Sequence, residues 1–119
     1  MFLNISNHNS VNWSKEQLVA ANEFGEIVDY QFPSVKATAS KNEIEEISNK
    51  IVCEVLELKP EVVMCQGEFT LTYALVDKLK NKNIKVVAAC SKRCVEEQIM
   101  PDGTVKKSSR FKFIQFREY

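Results

Sequence analysis

The chain has 119 residues, enough for one hydrophobic core and too few for two, so residues 1–119 are expected to form a single domain. With 45% hydrophobic and 27% charged residues it has an ordinary globular composition; no apolar run nears the ~20 residues that span a bilayer, and Met1–Ile5 lacks a basic region and a long apolar region, so a cytoplasmic protein without a membrane segment is expected. Zero formal net charge argues against indiscriminate binding to long nucleic acid, but it hides an asymmetry: residues 1–89 carry nine basic and twelve acidic groups, residues 90–119 seven and four.

The positive C-terminal part suits either a small anionic partner or a lysine-rich edge strand that resists aggregation. Taken in order, Phe2–Ile5 predicts a first strand, apolar apart from Asn4, which breaks into the turn-forming Ser6-Asn7-His8-Asn9-Ser10. Ser14 with Gln17 three residues on makes a capping box for a first helix, whose inner face is Leu18, Ala21 and Phe24 and which Gly25 can end in a left-handed conformation. Ile27–Phe32 alternates apolar and polar residues as an outer strand does, and Pro33 stops it. Ser40 and Glu43 repeat the capping signal, and Ile44, Ile47, Ile51, Val55 and Leu58 then recur at spacings of three and four, predicting a long amphipathic helix that Pro60 terminates.

Pro60–Arg93 is the stretch around which the chain is organised. It predicts a buried strand at Val62–Met64, a helix beginning near Phe69 or Thr70 with Leu71, Leu75, Val76 and Leu79 inward, and a second buried strand at Ile84–Cys90. Each strand is expected to stop at a polar cluster: Gln66-Gly67-Glu68 after the first, Ser91-Lys92-Arg93 after the second. Val95–Met100 and Thr104–Phe116, separated by Pro101-Asp102-Gly103, predict a terminal hairpin. The expected fold is therefore α/β: a Rossmann-like, mainly parallel sheet in the order β-α-β-α-β-α-β followed by a C-terminal β-hairpin, with helices on both faces.

In such sheets ligands bind beyond the carboxyl ends of the strands, where both polar clusters are expected to meet the Ser6-Asn7-His8 loop. Gly67 lets the chain turn closely and the first N–H groups of the following helix favour an anion, with Thr70 adding a hydroxyl; Glu68 as a cap would occupy that same position. Ser91, Lys92 and Arg93 together suit a phosphate clamp, or are simply a strand surfacing into a polar loop. His8, the single histidine, has the pKa for proton transfer near neutrality, and Trp13 and Phe69 could stack on a base or serve the core. No GxGxxG or GxxxxGK[ST] motif is present, so no dinucleotide or P-loop cofactor is expected. The four cysteines show no CxxC or HxxxH-type spacing, so no metal is expected; Cys90 and Cys94, close to Lys92 and Arg93, leave a thiol-dependent reaction as a separate reading.

The polar loop Ser6-Asn7-His8, the turn Gln66-Gly67-Glu68-Phe69-Thr70 and the basic cluster Ser91-Lys92-Arg93, above all within LNISNHNSVNWS and QGEFTLTYALV, resemble a stand-alone CRISPR-associated Rossmann fold (CARF) domain of type III systems. The resemblance implies an antiviral-defence protein and a homodimer that holds a cyclic oligoadenylate, in the first instance cyclic tetra-adenylate, across its two-fold axis. In ring-nuclease relatives the ligand's own 2′-hydroxyl attacks the adjacent phosphate without a metal. By analogy Lys92 or Arg93 would stabilise the developing charge and His8 would be the base or acid, while Ser6, Asn7, Gln66, Gly67, Glu68, Phe69, Thr70 and Ser91 would bind the ligand. The alternative is a non-catalytic nucleotide sink or a protein-interaction subunit.

Overall fold

The first strand, β1 (Phe2–Ser6), is buried along its whole length in the computed structural model, which describes residues 1–119. It lies inside the sheet, paired in parallel with β2 (Ile27–Gln31) on one side and with β3 (Val62–Gln66) on the other. Beyond β3 runs β4 (Lys85–Ile99), parallel to it over Lys85–Val87, and β5 (Val105–Glu118) returns antiparallel along β4. The result is a five-stranded mixed sheet in the order β2-β1-β3-β4-β5, with β2 at an edge as its alternating pattern implies.

Three helices cover the sheet. Ser14 accepts a hydrogen bond from the Gln17 N–H (3.3 Å) and starts α1 (Lys15–Asn22); Ser40 does the same with Glu43 (3.1 Å) for α2 (Lys41–Leu58). Both caps stand where the sequence places them. Lys59 ends α2 in the left-handed region (φ +52°), and Pro60 after it disfavours a right-handed helical conformation at that position. Glu68 caps α3 (Phe69–Asn81), whose last turn carries Lys78 and Lys80.

The period-two alternation of the strands divides the core. Leu3, Ile5, Val63, Cys65 and Val86 face α2 and α3 and join Ile51, Val55, Leu71, Leu75 and Leu79 in the larger cluster. Phe2, Val62, Met64 and Val87 face the other way, against Ala21 of α1, with Trp13, Phe24 and Phe116 around them. Trp13 stands edge-on to Phe2 at 6.1 Å, so it serves this smaller core. No helix is long and apolar enough to cross a membrane.

One expectation fails. Ser91-Lys92-Arg93 is not a loop: β4 continues through it to Ile99, and five strands stand where six were expected. The sequence turns polar there because the side chains lose their cover, yet the backbone keeps its partners, since β5 supplies a rung at every residue from Ser91 to Ile99. Where β4 departs from β3, the Gln66 side chain takes over the pairing: its Oε1 accepts from the Ala89 N–H (2.7 Å) and its Nε2 donates to the Ala89 carbonyl (3.4 Å). Replacing Gln66 by Ala orphans the Ala89 N–H and is expected to cost about 1–3 kcal/mol in urea unfolding, with faster hydrogen exchange at Ala89. An unchanged midpoint and exchange rate would show that water replaces the carboxamide without loss.

Candidate functional site

The chain leaves β1 toward β2 on one side of it and later returns to pair β3 on the other. Strand order thus reverses at β1, and in open α/β sheets a crevice forms at that point, outside the carboxyl ends of the strands. Ser6 and Gln66, register partners, mark the ends of β1 and β3 at this rim.

Asn4 and Ser6 lie on the α1 side of β1 and are almost fully buried, at 2% and 4% exposure, and Asp29 of β2 is the register partner of Asn4. Buried polar groups must be paired, and here they pair with the loop after β1. Asn4 Nδ2 donates to the His8 carbonyl and to Asp29 Oδ1, both at 2.8 Å; Ser6 Oγ donates to Asn4 Oδ1 at 2.7 Å and accepts from the His8 N–H at 3.1 Å. Trp13 Nε1 also donates to the His8 carbonyl (3.1 Å). Asp29 receives the Ser10 N–H (3.0 Å) and hydroxyl (2.7 Å). Burial pushes the Asp29 carboxyl up, but the hydrogen bonds from Asn4 and Ser10 outweigh it and hold the group below its ordinary value.

Above this network opens a cleft of about 450 Å³ whose lining includes Asn7, Asn9, Asp29 and Gln31. Asn4, Ser6 and Tyr30 complete the lining, which is mostly amide and hydroxyl with one carboxylate and no cation. Such a set can hydrogen-bond sugar hydroxyls and the edge of a base, and Asn and Gln side chains match adenine's paired donor and acceptor. It offers no counter-charge to a phosphate. On the opposite side of β2, Tyr30 donates to Glu54 of α2, and burial together with that carboxylate pushes its phenol up to about 12.

The turn after β3 is committed to the fold. A Cβ on Gly67 would lie 2.5 Å from the Phe32 ring, so the glycine is there to admit that ring. Glu68 accepts from the Leu71 N–H (2.8 Å) and from the Thr70 hydroxyl (2.7 Å), which keep its carboxyl below the usual range. Its carboxylate fills the place at the start of α3 that a bound anion would take. Gln66 is spent on Ala89, and Phe69 is 89% exposed on α3.

Of the residues expected to converge, Ser6 and Asn7 line the cleft and Gln66 adjoins Ser6. His8 contributes its backbone to the network, while its side chain is exposed. Ser91, Lys92 and Arg93 are exposed on β4, and because neighbouring strand residues point to opposite faces, Ser91 and Arg93 share one face and Lys92 takes the other. They do not form one clamp. Lys92 pairs in register with Lys112. Cys65 is buried, which pushes its thiol up to about 12, and no three His, Cys, Asp or Glu side chains are grouped to hold a metal ion. Asn4, Asn9, Asp29 and Gln31 were not anticipated; the available signal was Asn4, a lone amide inside an apolar strand.

The chain matches the model of the Uncharacterized protein MJ1673 family over residues 1–117, and it belongs to that family. No curated protein and no solved structure matches it.

Two outcomes follow. Gly67→Ala should cost about 1–3 kcal/mol by overpacking, and Phe32→Leu in the same chain should recover part of it, giving a clear coupling in a double-mutant cycle; simple additivity would place the strain elsewhere. Because Asp29 titrates lower folded than unfolded, its contribution is complete above the ordinary value of 3.8 and is lost as pH falls through the depressed folded value. Asp29→Asn should therefore lower the urea midpoint at pH 6, with the deficit shrinking at pH 3. A deficit independent of pH would contradict this.

Proposed function

We propose that this family member is a nucleotide-binding protein that receives a cyclic oligoadenylate at the carboxyl rim of its sheet, two copies sharing one ring, and holds the ligand without cutting it. The observation that carries the reading is the network in which exposed Asp29 pairs with buried Asn4 and Ser6 bonds to Asn4, which fixes the loop after β1 and builds a polar cleft beside the strand-order reversal. Asp29, on β2 at the cleft, already accepts from Asn4 and Ser10, which leaves its Oδ2 one acceptor position for a ribose hydroxyl, and Asn7, Gln31 and the Nδ2 of Asn9, whose Oδ1 caps Val11, offer amide groups to an adenine edge. The Rossmann-like layout, the cytoplasmic setting and a place in CRISPR-associated defence belong to the same reading, through the resemblance of the sequence.

Sequestration is favoured over ring cleavage by the disposition of the charges. Cleavage asks for cationic or N–H donors at the phosphate under attack. The cleft lining holds no cation, Lys92 and Arg93 take opposite faces of β4, and the N–H of Leu71 at the start of α3 is already taken by Glu68.

Titration calorimetry with cyclic tetra-adenylate and cyclic hexa-adenylate, followed by chromatography of the mixture, tests the proposal. Binding of one ring per two chains with no linear product is expected, and Asn7→Ala or Gln31→Ala should weaken it roughly tenfold, the worth of about one hydrogen bond. Linear products would make the protein a ring nuclease, and no heat with either ring would remove the proposal.

A further inference from the structure

Past the Gln66–Ala89 contact, β4 and β5 leave the sheet together. Ser91–Ile99 and Val105–Phe113 form a two-stranded arm of roughly 30 Å at about 3.3 Å per residue, which accounts for the long axis of the molecule, 57 Å against 38 and 21 Å. A ribbon of two strands is marginal in water unless something covers a face. Only the root of this one is covered: Phe113 is buried, but Phe111, two residues on, is 73% exposed.

The arm has two unlike faces. One carries Lys92, Lys112, Arg110 and Lys106, where Glu96 pairs with Arg110; it is a solvated, basic face. The other carries Val95, Ile99, Val105 and Phe111, between 56% and 79% exposed, with an ion pair of Glu97 and Lys107 across the ladder (3.6 Å) and Arg93, which has no ion pair in the protomer.

We propose that this apolar face is covered by the same face of a second copy, the two arms packed antiparallel about a two-fold axis through the rung of Val95 and Ser109. That operation lays β4 on β4 and β5 on β5, so each residue is as far from the axis on one side as its contact is on the other. Arg93 then meets the partner copy's Glu97, Phe111 meets Lys107, and Val95 meets itself. An axis through Arg93 would set two guanidiniums together, one through Glu97 two carboxylates, and one parallel to the strands would leave Arg93 over Phe111. Of these axes, the Val95 rung is the one that brings Arg93 to a carboxylate, while Lys107 keeps its own Glu97 and lies over the partner copy's Phe111. The arms carry the two bodies at opposite ends with their carboxyl rims toward each other. This association is separate from the ring-sharing pair proposed above: at about 3.3 Å per residue, the six residues from Ala89 to Val95 in each copy set the two rims roughly 40 Å apart, too far for one ring to bridge.

The test is disulfide trapping at the axis. In a chain with Cys53 and Cys94 replaced by Ser, Val95→Cys should cross-link to its own copy under oxidised glutathione and release with dithiothreitol, while Ser108→Cys, on the basic face, should not. Sedimentation supplies the second measurement: Arg93→Glu and Glu97→Arg should each weaken association roughly tenfold, and the double exchange should restore it. A monomeric wild type, a dimer without the Val95 cross-link, equal cross-linking at both positions, or a double exchange no better than the singles would each overturn the proposal. Because no nucleotide is present, these failures leave the cleft reading standing, and a cross-linked dimer that binds no cyclic adenylate would count against the cleft alone.

Discussion

Two polar residues on a buried central strand set the terms for one end of this molecule. Asn4 and Ser6 lie on a strand buried along its whole length, and an unpaired amide or hydroxyl there would cost on the order of 1–3 kcal/mol each. Asp29 and the backbone of His8 satisfy them, which requires the loop after β1 to fold back over β1 and β2. The same bonds that settle the buried groups therefore shape the cleft. Its rigidity comes from strand residues and backbone, leaving the Asn7 and Asn9 side chains at its lining.

The neighbouring rim shows the opposite allocation. A glycine turn leading into a helix has the general form of an anion site, but here Phe32 occupies the space over Gly67 and Glu68 supplies the negative charge. Residue type and spacing alone cannot separate an open helix N-terminus from one closed by its own carboxylate; the hydrogen bond to Leu71 decides it. The rim thus divides into a polar cleft beside β2, with the Asp29 carboxylate as its one charge, and a closed structural turn beside β3. Beyond Ala89 the sheet gives way to the arm, whose stability depends on what covers it.

Much of the fold was legible because local chemistry and tertiary need agree. Ser14 and Ser40 cap the helices they were expected to cap, the three-and-four spacing of Ile44, Ile51 and Val55 faces the core, and the alternation in Ile27–Gln31 marks an edge. The arm was misread for a physical reason. A strand paired with one neighbour and bare on both faces has no burial periodicity, so residues 91–93 look like a loop although each is held in a ladder. The cleft was only partly legible: Ser6 and Asn7 declared themselves as a polar loop, whereas Asn4 and Asp29 matter through a pairing across strands that sequence order conceals. Of the three residues expected to converge, His8 and Gly67 follow the paired ends of β1 and β3, His8 bonded through its backbone and Gly67 beneath the Phe32 ring, while Arg93 lies out on the arm.

The most direct measurement is a map of side-chain and backbone amide shifts by NMR as cyclic tetra-adenylate is added. The account predicts perturbed side-chain amides at Asn7, Asn9 and Gln31, with the backbone N–H groups of Gly67 to Leu71 unmoved. Shifts confined to the start of α3 or to the basic face of the arm, with the cleft amides silent, would contradict it.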